Sequence, residues 1–212
     1  MTGRYLDLES WPRRTLFEFF RVYDQPFFNI CTDVKVSELY RRSREPGGTS
    51  FFLGTLYASL RAANEVEEFR LRLRGERVWR HDRIHGNCTV LREDESFGFG
   101  YFEFTPDYRT FEANGRREIE RVRRVPGVEP QADRDDLIHY SVLPWFRFTS
   151  FTHARRSDAQ DSIPKIVFGK HFEREAERWL PISIEVHHAL ADGLHVGQFL
   201  DRLGAYLAEP PS

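Results

Sequence analysis

The stretch of sequence that decides the fold is HHALADG, at residues 187–193. An apolar run of strand length, residues 179–186, precedes it, and an amphipathic helical pattern, residues 196–207, follows it. A histidine at the end of a buried strand is well placed for proton transfer, because an imidazole titrates near neutrality and can take and return a proton. The stretch therefore predicts a strand–turn–helix unit that presents a histidine for chemistry.

The composition is that of a folded protein. The chain has 212 residues, which suits one large domain with a substantial core, and residues 1–212 are treated as a single domain. Hydrophobic residues make up 40% of the chain and aromatic residues 15%, which excludes disorder for most of it. The formal net charge of −2 argues against a dedicated nucleic-acid binder, so no nucleic-acid partner is expected.

The cysteines and the apolar runs bear on the cellular compartment. Cys31 and Cys88 are far apart and form neither a CxxC pair nor a zinc-like set. The N-terminus has no apolar signal core, and no run approaches the length of a membrane span. The sequence therefore predicts a soluble cytoplasmic protein with reduced thiols, no metal and no membrane partner.

Hydrophobic periodicity divides the chain into helices and strands. Besides the C-terminal helix, the pattern predicts a first helix capped by Ser10, a largely buried helix over residues 50–63 and a polar helix over about 106–125. Period-two alternation predicts a hairpin that turns at Gly75-Glu76. Further strands are predicted over residues 28–36, 97–104, 138–142, 146–152, 165–172 and 179–186. The pattern indicates an α/β (α+β) fold, with helices packed on a mixed β-sheet.

Three separated motifs make the chain resemble the chloramphenicol acetyltransferase family. WPRRTLFEFF at residues 11–20 is similar to the WxRxxxFxxF helix of that family. SVLPW at residues 141–145, followed by FTSF at 148–151, resembles its SxxPW…FxSF segment, and HHALADGLHV at 187–196 resembles its HHAxxDGxHV sequence. The resemblance implies the two-layer CoA-dependent acyltransferase fold and transfer of acetyl from acetyl-CoA to a hydroxyl, without metal or redox cofactor. It also implies a homotrimer with active sites at the subunit interfaces.

The resemblance assigns the chemistry to two side chains. His188 matches the catalytic base of the family, which removes the acceptor hydroxyl proton while the oxygen attacks the thioester carbonyl of acetyl-CoA. Ser141 matches the serine that donates a hydrogen bond to the tetrahedral oxyanion, where charge develops in the transition state. His187 and His195 are interpreted as structural.

Supporting roles follow from the same resemblance. Asp192 and Arg13 match an ion pair that supports the active-site loop, since a buried carboxylate needs a partner. Taken alone, Asp192 is also compatible with a simple helix cap before Gly193. Lys170 aligns with a family lysine near the CoA phosphates, and an exposed solubilising lysine is the alternative interpretation.

The acceptor pocket is where the chain departs from the family. The residues predicted to bind the acceptor are Phe20, Phe97, Phe99, Phe151 and His153. Phe20 replaces a usual tyrosine, Phe99 a usual alanine, and Val167 a usual threonine. His153 and Arg155 stand where the family usually places apolar residues. A small hydroxyl compound such as chloramphenicol is expected as the acceptor, and these departures leave its identity open.

Three alternatives remain at this point. The same chemistry could act on a different xenobiotic or on a metabolite hydroxyl. A non-catalytic ligand-binding trimer of the same fold is the second, although the presence of His188 and Ser141 speaks against it. A lipoyl-dependent acyltransferase core is the third, and it is disfavoured because no lipoyl domain or linker precedes the catalytic region.

Overall fold

Two β-sheets and five α-helices make up the part of the chain that the computed structural model describes, residues 2–128, 130–131, 133–155 and 161–211. The helices are α1 (Arg14–Phe20), α2 (Ser37–Ser43), α3 (Phe51–Asn64), α4 (Tyr108–Arg124) and α5 (Gly193–Ala208), with a 3₁₀ turn at Glu67–Arg70. The strands are β1 (Gly3–Tyr5), β2 (Phe27–Lys35), β3 (Leu71–Arg74), β4 (Arg77–His81), β5 (His85–Leu91), β6 (Phe97–Phe102), β7 (Leu137–Val142), β8 (Lys165–Phe168), β9 (Phe172–Arg174) and β10 (Glu177–His187). No helix among these residues is both long and apolar enough to cross a bilayer.

The large sheet is mixed. Its strands lie side by side in the order β2, β10, β8, β7, β5 and β6, and β9 pairs with the first residues of β10. β7 runs parallel to both β5 and β8, whereas the remaining pairs are antiparallel. The sheet confirms the mixed α/β class that the sequence predicted.

One face of the large sheet forms the main core. Alternate residues of the central strands, such as Tyr140, Ile166 and Ile184, pack with apolar side chains of the helices α2 to α5. Because successive side chains of a strand point to opposite faces, their neighbours Ser141 and Lys165 project from the other face. Chemistry-bearing side chains are therefore carried on the face opposite to these helices.

A second, smaller core joins α1 to the turn that follows β10. Phe17 of α1 packs with Leu71 and Val78 of the three-stranded sheet, which has the order β1-β4-β3. Ala189 and Leu190 from the HHALADG stretch belong to the same cluster. The small sheet thus serves as the platform on which α1 and the histidine turn meet.

Arg72 ties the two sheets together. This β3 side chain is 1% exposed and donates hydrogen bonds to the backbone carbonyls of Phe69, Leu71, Asp135 and Leu137 at 2.6–3.0 Å. Burial lowers the pKa of its guanidinium to about 10, which leaves it charged at neutral pH. A buried charge is tolerated only where its donors are satisfied, and the carbonyls at the start of β7 satisfy them here.

Two predicted features were wrong. Ser10 does not cap α1, because its hydroxyl donates to Asp7 at 2.8 Å and the helix begins only at Arg14. The described residues of 143–164 contain no strand, although 146–152 was predicted to be one. β8 is already paired with β7 and β10, so no edge is free beside it, and Phe148 packs against Gly169 instead.

Other elements were missed or misplaced by the sequence patterns. α2 and β5 were not predicted, although both are regular. β9 and β10 form a hairpin in residues 172–179, so part of the segment between the predicted strands 165–172 and 179–186 is itself paired. Glu175 and Ala176 alone form its turn, with φ values of 53° and 60°. Two successive residues with positive φ are typical of a type I′ turn, which matches the twist of the flanking strands.

We expect Arg72→Met to lower the free energy of unfolding by at least about 3 kcal/mol, because it leaves buried carbonyl oxygens without donors. Chemical denaturation monitored by circular dichroism measures this change. Arg109→Met is the matched control, since Arg109 is exposed on α4, and it should change stability by less than about 0.5 kcal/mol. Equal stability of the two variants would contradict the structural role of Arg72.

Candidate active site

The HHALADG stretch forms the junction between β10 and α5. β10 ends at His187, and the pairing with β2 extends one step further, because the His188 amide donates to the Pro26 carbonyl at 2.7 Å. Asp192 is the N-cap of α5, and its carboxylate accepts a hydrogen bond from the Leu194 amide at 3.0 Å. The predicted strand–turn–helix unit is therefore present, and His188 lies in its turn.

Two aromatic rings and one carbonyl fix the His188 ring. Phe20 of α1 stacks on the imidazole with ring centroids 3.8 Å apart and planes inclined by 11°, and Phe28 lies at 4.7 Å. The Nδ1 atom is 3.3 Å from the carbonyl oxygen of Ala191. Because a carbonyl only accepts, Nδ1 carries the hydrogen in the neutral ring, and Nε2 keeps its lone pair. Such a ring is ready to accept a proton at Nε2.

Asp192 is held by an ion pair as well as by its capping role. Arg13 pairs with its carboxylate and also donates to the backbone carbonyl of His188 at 3.3 Å. Burial on its own raises the pKa of Asp192, but the Arg13 hydrogen bond and nearby His195 lower it on balance below the usual range. The carboxylate is thus both the helix cap and the ion-pair partner that the sequence offered as alternatives.

His187 and His195 have partners of their own. Nδ1 of His187 accepts from the Ala189 amide at 3.2 Å, and burial lowers the pKa of this ring to about 4. Nδ1 of His195 accepts from the Asp192 amide at 3.1 Å, while its Nε2 lies 3.2 Å from a Glu68 oxygen. These contacts agree with the structural roles expected for both histidines.

Ser141 lies elsewhere, in a cavity of about 340 Å³ on the sheet face opposite to the helices. Phe99 of β6 and His153 line the same cavity, together with Tyr101, His139 and Lys165 among others. Val167, which stands where the family usually has threonine, pairs with Ser141 across β7 and β8 and is fully buried. The structure therefore brings together Ser141, Phe99 and His153 from the predicted set.

The remaining predicted residues are spread around these two places. Phe151 contacts the His153 ring, with centroids 4.8 Å apart, and does not line the cavity. Phe97 is 49% exposed, and its ring centroid lies 6.0 Å from that of Phe99. Lys170 is exposed at the surface, and its amide donates to the carbonyl of Phe146 at 2.9 Å.

His188 and Ser141 are far apart within one chain. Ser141 pairs with Val167, and Val167 pairs with Ser183, so Ser183 lies two strands away in the same row. His188 follows Ser183 by five positions along β10 and its extension. With about 4.8 Å between strands and about 3.3 Å per residue, the Cα atoms of His188 and Ser141 are roughly 19 Å apart. The two side chains of one chain therefore cannot act on the same bond.

A larger groove, of about 1060 Å³, adjoins the cavity. It runs between α4 and the hairpin of β5 and β6, and Trp145, 58% exposed, lies at its wall. Thr89 lines both the groove and the cavity, and Val142 of the groove is the chain neighbour of Ser141. The two spaces thus meet beside Ser141.

Sequence reasoning missed part of the cavity and its surroundings. His139 and Lys165 line it, and Glu185 and Asp161 stand behind them in contact with Arg155. A usable signal was present, because Lys165 and Glu185 interrupt otherwise apolar strands at the positions that alternate with core residues. No cluster of three or more His, Cys, Asp or Glu side chains suited to a metal ion occurs among the residues described.

Comparisons with known proteins agree over almost the whole chain. The family model described as chloramphenicol acetyltransferase matches residues 1–204. A chloramphenicol acetyltransferase of Streptomyces acrimycini is 30% identical over 210 residues, which cover 97% of this chain and 94% of that protein. The chain belongs to the chloramphenicol acetyltransferase family. Chloramphenicol acetyltransferase 3 of Escherichia coli, another relative, is 28% identical over 200 residues, 93% of each chain.

Solved structures give the same result. A chloramphenicol acetyltransferase with 29% sequence identity superposes with a TM-score of 0.87 and covers 97% of this chain and 100% of that chain. A dihydrolipoamide acetyltransferase of Azotobacter vinelandii, 18% identical over 92% of this chain and 86% of that chain, has a TM-score of 0.71 and shares the fold. The predicted family, fold and acetyltransferase class are confirmed, and the family implies acetyl-CoA as the co-substrate.

Acid should destabilise the protein through its buried imidazoles. Burial holds the pKa of His139 and of His187 at about 4, below the ordinary value of about 6.5 in an unfolded chain. Their contribution to stability is therefore complete above pH 6.5 and is lost as the pH falls from there to 4. Each ring accounts for up to about 3 kcal/mol over this window.

The His187→Asn variant tests this pH dependence. Its amide oxygen can still accept from the Ala189 amide, but it cannot titrate, so the stability curve between pH 6.5 and 4 should be shallower than that of the wild type. Denaturation measured at half-unit pH intervals gives both slopes. Parallel curves for the two proteins would show that His187 is not the titrating group.

Proposed function

We propose that this enzyme transfers the acetyl group of acetyl-CoA to the hydroxyl of a small molecule, with His188 as general base and Ser141 as oxyanion donor. The observation that carries the proposal is the meeting of the groove and the cavity at Thr89, beside Ser141. A thioester arriving along the groove and a hydroxyl compound seated in the cavity would meet beside the Ser141 hydroxyl. Chloramphenicol, the acceptor named by the relatives, is the first compound to test.

The groove has features suited to a CoA thioester. Arg116, Arg123 and Arg124 of α4 lie along its wall, and guanidinium groups match the geometry of phosphate oxygens. The exposed Trp145 offers an apolar surface for the pantetheine arm. Lys170 is not among the residues that line the groove, so its contact with the CoA phosphates stays a prediction.

The reaction needs a general base that moves one proton and a hydrogen-bond donor that stabilises the oxyanion. Nε2 of His188 removes the hydroxyl proton as the oxygen attacks the thioester carbon, and the resulting oxyanion accepts a hydrogen bond from Ser141. Collapse of the intermediate breaks the carbon–sulfur bond, and the imidazolium returns its proton to the departing thiolate. No covalent acyl-enzyme is required, because donor and acceptor occupy separate spaces.

We further propose that each active site is built from two copies of the chain in a homotrimer. The roughly 19 Å between His188 and Ser141 within one chain supports this arrangement. Next to His188, α1 and the residues just after it expose a cluster of apolar side chains that a partner could cover, namely Leu16 (43%), Phe19 (57%) and Tyr23 (46%). His188 and Phe20 of one copy would then close the cavity of the next.

Single substitutions test the two assigned roles. His188→Ala should lower kcat by at least about 100-fold, and Ser141→Ala by about 10²–10³-fold with little change in KM, since each acts in the transition state. Release of free CoA thiol from acetyl-CoA, with chloramphenicol and a panel of alcohols, measures turnover. Leu194→Ala and Ser10→Ala, at exposed positions, are the matched controls. Turnover within threefold of the wild type in either test variant would reject its role.

The same assay separates catalysis from binding alone. A protein that binds hydroxyl compounds but releases no thiol with any member of the panel would be the non-catalytic ligand-binding trimer.

Mixing the two inactive variants tests the shared site. In a hybrid trimer, the intact His188 of a Ser141→Ala chain can face the intact Ser141 of a His188→Ala chain. Random reassembly of equal amounts after unfolding should restore about a quarter of the wild-type sites, because each partner has an even chance of being the required one. Thiol release before and after reassembly measures the gain. No recovery from a correctly reassembled mixture would place both residues in the same chain's site.

A further inference from the structure

The cavity beside Ser141 has an unusual lining for an aromatic drug. Among the described residues that line it are a lysine, an arginine, two histidines and several hydroxyl and amide groups, but no aspartate or glutamate. Lys165 and Arg134 supply the positive charge. The carboxylates that pair with them, Asp161 for Lys165 and Glu103 and Asp136 for Arg134, lie outside the lining. The described lining thus presents donors and cations inward, and the carboxylates that pair with these cations lie outside it.

The register of the large sheet lines up several of the polar residues of the cavity. The Cα pairings place Tyr101, Asn87, His139, Lys165 and Glu185 in one row across the strands β6, β5, β7, β8 and β10. Ser141 lies two residues from His139 along β7, in the next row of the same face. This spacing is about 7 Å. A reacting group held at Ser141 therefore lies beside the row of Cα atoms that contains Lys165.

The Lys165 ammonium has more N–H donors than ionic partners among the described residues. Its side chain is only 11% exposed, and its ammonium lies 3.2 Å from Asp161. Asp161 is shared, because it also accepts from Arg155 at 2.8 Å and from the Ile163 amide at 2.9 Å. An ammonium carries three N–H donors, and among the described residues Lys165 has only this one ionic partner. A ligand anion would satisfy the remaining donors.

Two imidazoles flank this position. Burial lowers the pKa of His139 to about 4 and also lowers that of His153, in spite of nearby Glu185, so both rings are neutral at pH 7. The Nε2 atom of His153 is buried and has no hydrogen-bond partner in the described part of the chain. A neutral imidazole can donate one hydrogen bond, so these rings can add to the binding of an anion without an extra charge of their own.

On the basis of the proposed function, we propose that the acceptor is a small hydroxyl compound carrying a carboxylate, which Lys165 binds with the help of His139 and His153. The hydroxyl then lies at Ser141, one row of the sheet away from the carboxylate. Lys165 is a specificity-determining residue in this arrangement, and it does not touch the reacting atoms.

A neutral aromatic acceptor fits this cavity less well. A nitrophenyl ring would cover the Lys165 donors and His153 Nε2 without pairing them, and buried polar groups left unpaired are costly. Phe99 still offers an aromatic wall, so a ring that bears a carboxylate satisfies both features. Chloramphenicol has no carboxylate, and we expect it to be a poor substrate.

The test is a matched pair of acceptors. 4-(Hydroxymethyl)benzoate and 4-(hydroxymethyl)benzamide differ only in the charged group and hold it across one ring from the same primary alcohol. The wild-type enzyme should acetylate the benzoate with a kcat/KM about 10- to 100-fold higher than the benzamide, the range expected for one hydrogen bond to a charged group. Thiol release gives both values, and chloramphenicol serves as a third, neutral acceptor.

Lys165 variants connect the preference to its position. Lys165→Met should reduce the benzoate preference to within about threefold, because kcat/KM for the benzoate falls more than that for the benzamide, and Lys165→Arg should restore part of the preference. Asp161 keeps its Arg155 and Ile163 partners in both variants. Lys35→Met, on β2 and paired with Glu177 at 2.5 Å outside the cavity, is the control and should keep the full preference.

A binding measurement separates this inference from the catalytic proposal. Calorimetry with the His188→Ala protein and acetyl-CoA should give a Kd for the benzoate at least tenfold below that for the benzamide, whether or not the wild type turns either over. Absence of thiol release with every alcohol would count against the proposed acetyl transfer. Equal or tighter binding of the benzamide, or a preference that survives Lys165→Met, would overturn the carboxylate acceptor.

Discussion

The ion pair between Arg13 and Asp192 is the interaction on which the rest of the site depends. Arg13 directly precedes α1, and Asp192 is the N-cap of α5. Their ion pair therefore joins the start of α1 to the turn between β10 and α5. Arg13 also reaches the His188 carbonyl, and α1 carries the Phe20 ring that stacks on the imidazole. The low pKa of Asp192 keeps the pair charged at neutral pH. The orientation of the His188 ring is therefore set by backbone and helix positions and needs no carboxylate hydrogen-bonded to the ring.

The sheet imposes a second constraint. Its central strands fix Ser141 in one row of the open face and leave His188 beyond the far end of β10, and this separation cannot be closed by moving side chains. The Ser141 cavity and His188 thus lie in two separate regions of the chain, which the proposed association of copies would bring together. The apolar face of α1 lies beside His188, so the surface that would be buried in the proposed association is the same surface that holds the His188 ring.

The sequence predicted what is local and missed what is assembled from distant strands. The strand–turn–helix unit at HHALADG and the Asp192–Arg13 pair were accessible because three motifs lie in recognisable order. Phe20 and Phe99 were grouped in one pocket, yet within a chain Phe20 stacks on His188 and Phe99 lines the Ser141 cavity. The row that contains His139 and Lys165 depends on the parallel pairing of β7 with β5 and β8, and no spacing along the chain encodes that pairing.

Alternation along the strands allows the residues of the cavity to vary while the fold stays the same. Ile166 and Ile184 hold the core, whereas Lys165 and Glu185 beside them face away from it, so cavity residues change without altering core packing. The charged residues must change together. Arg155 contacts both Glu185 and Asp161, and removing it alone would leave a carboxylate that is 7% exposed without its guanidinium partner. The charged acceptor that we propose therefore requires a charge-balanced set of residues around the cavity.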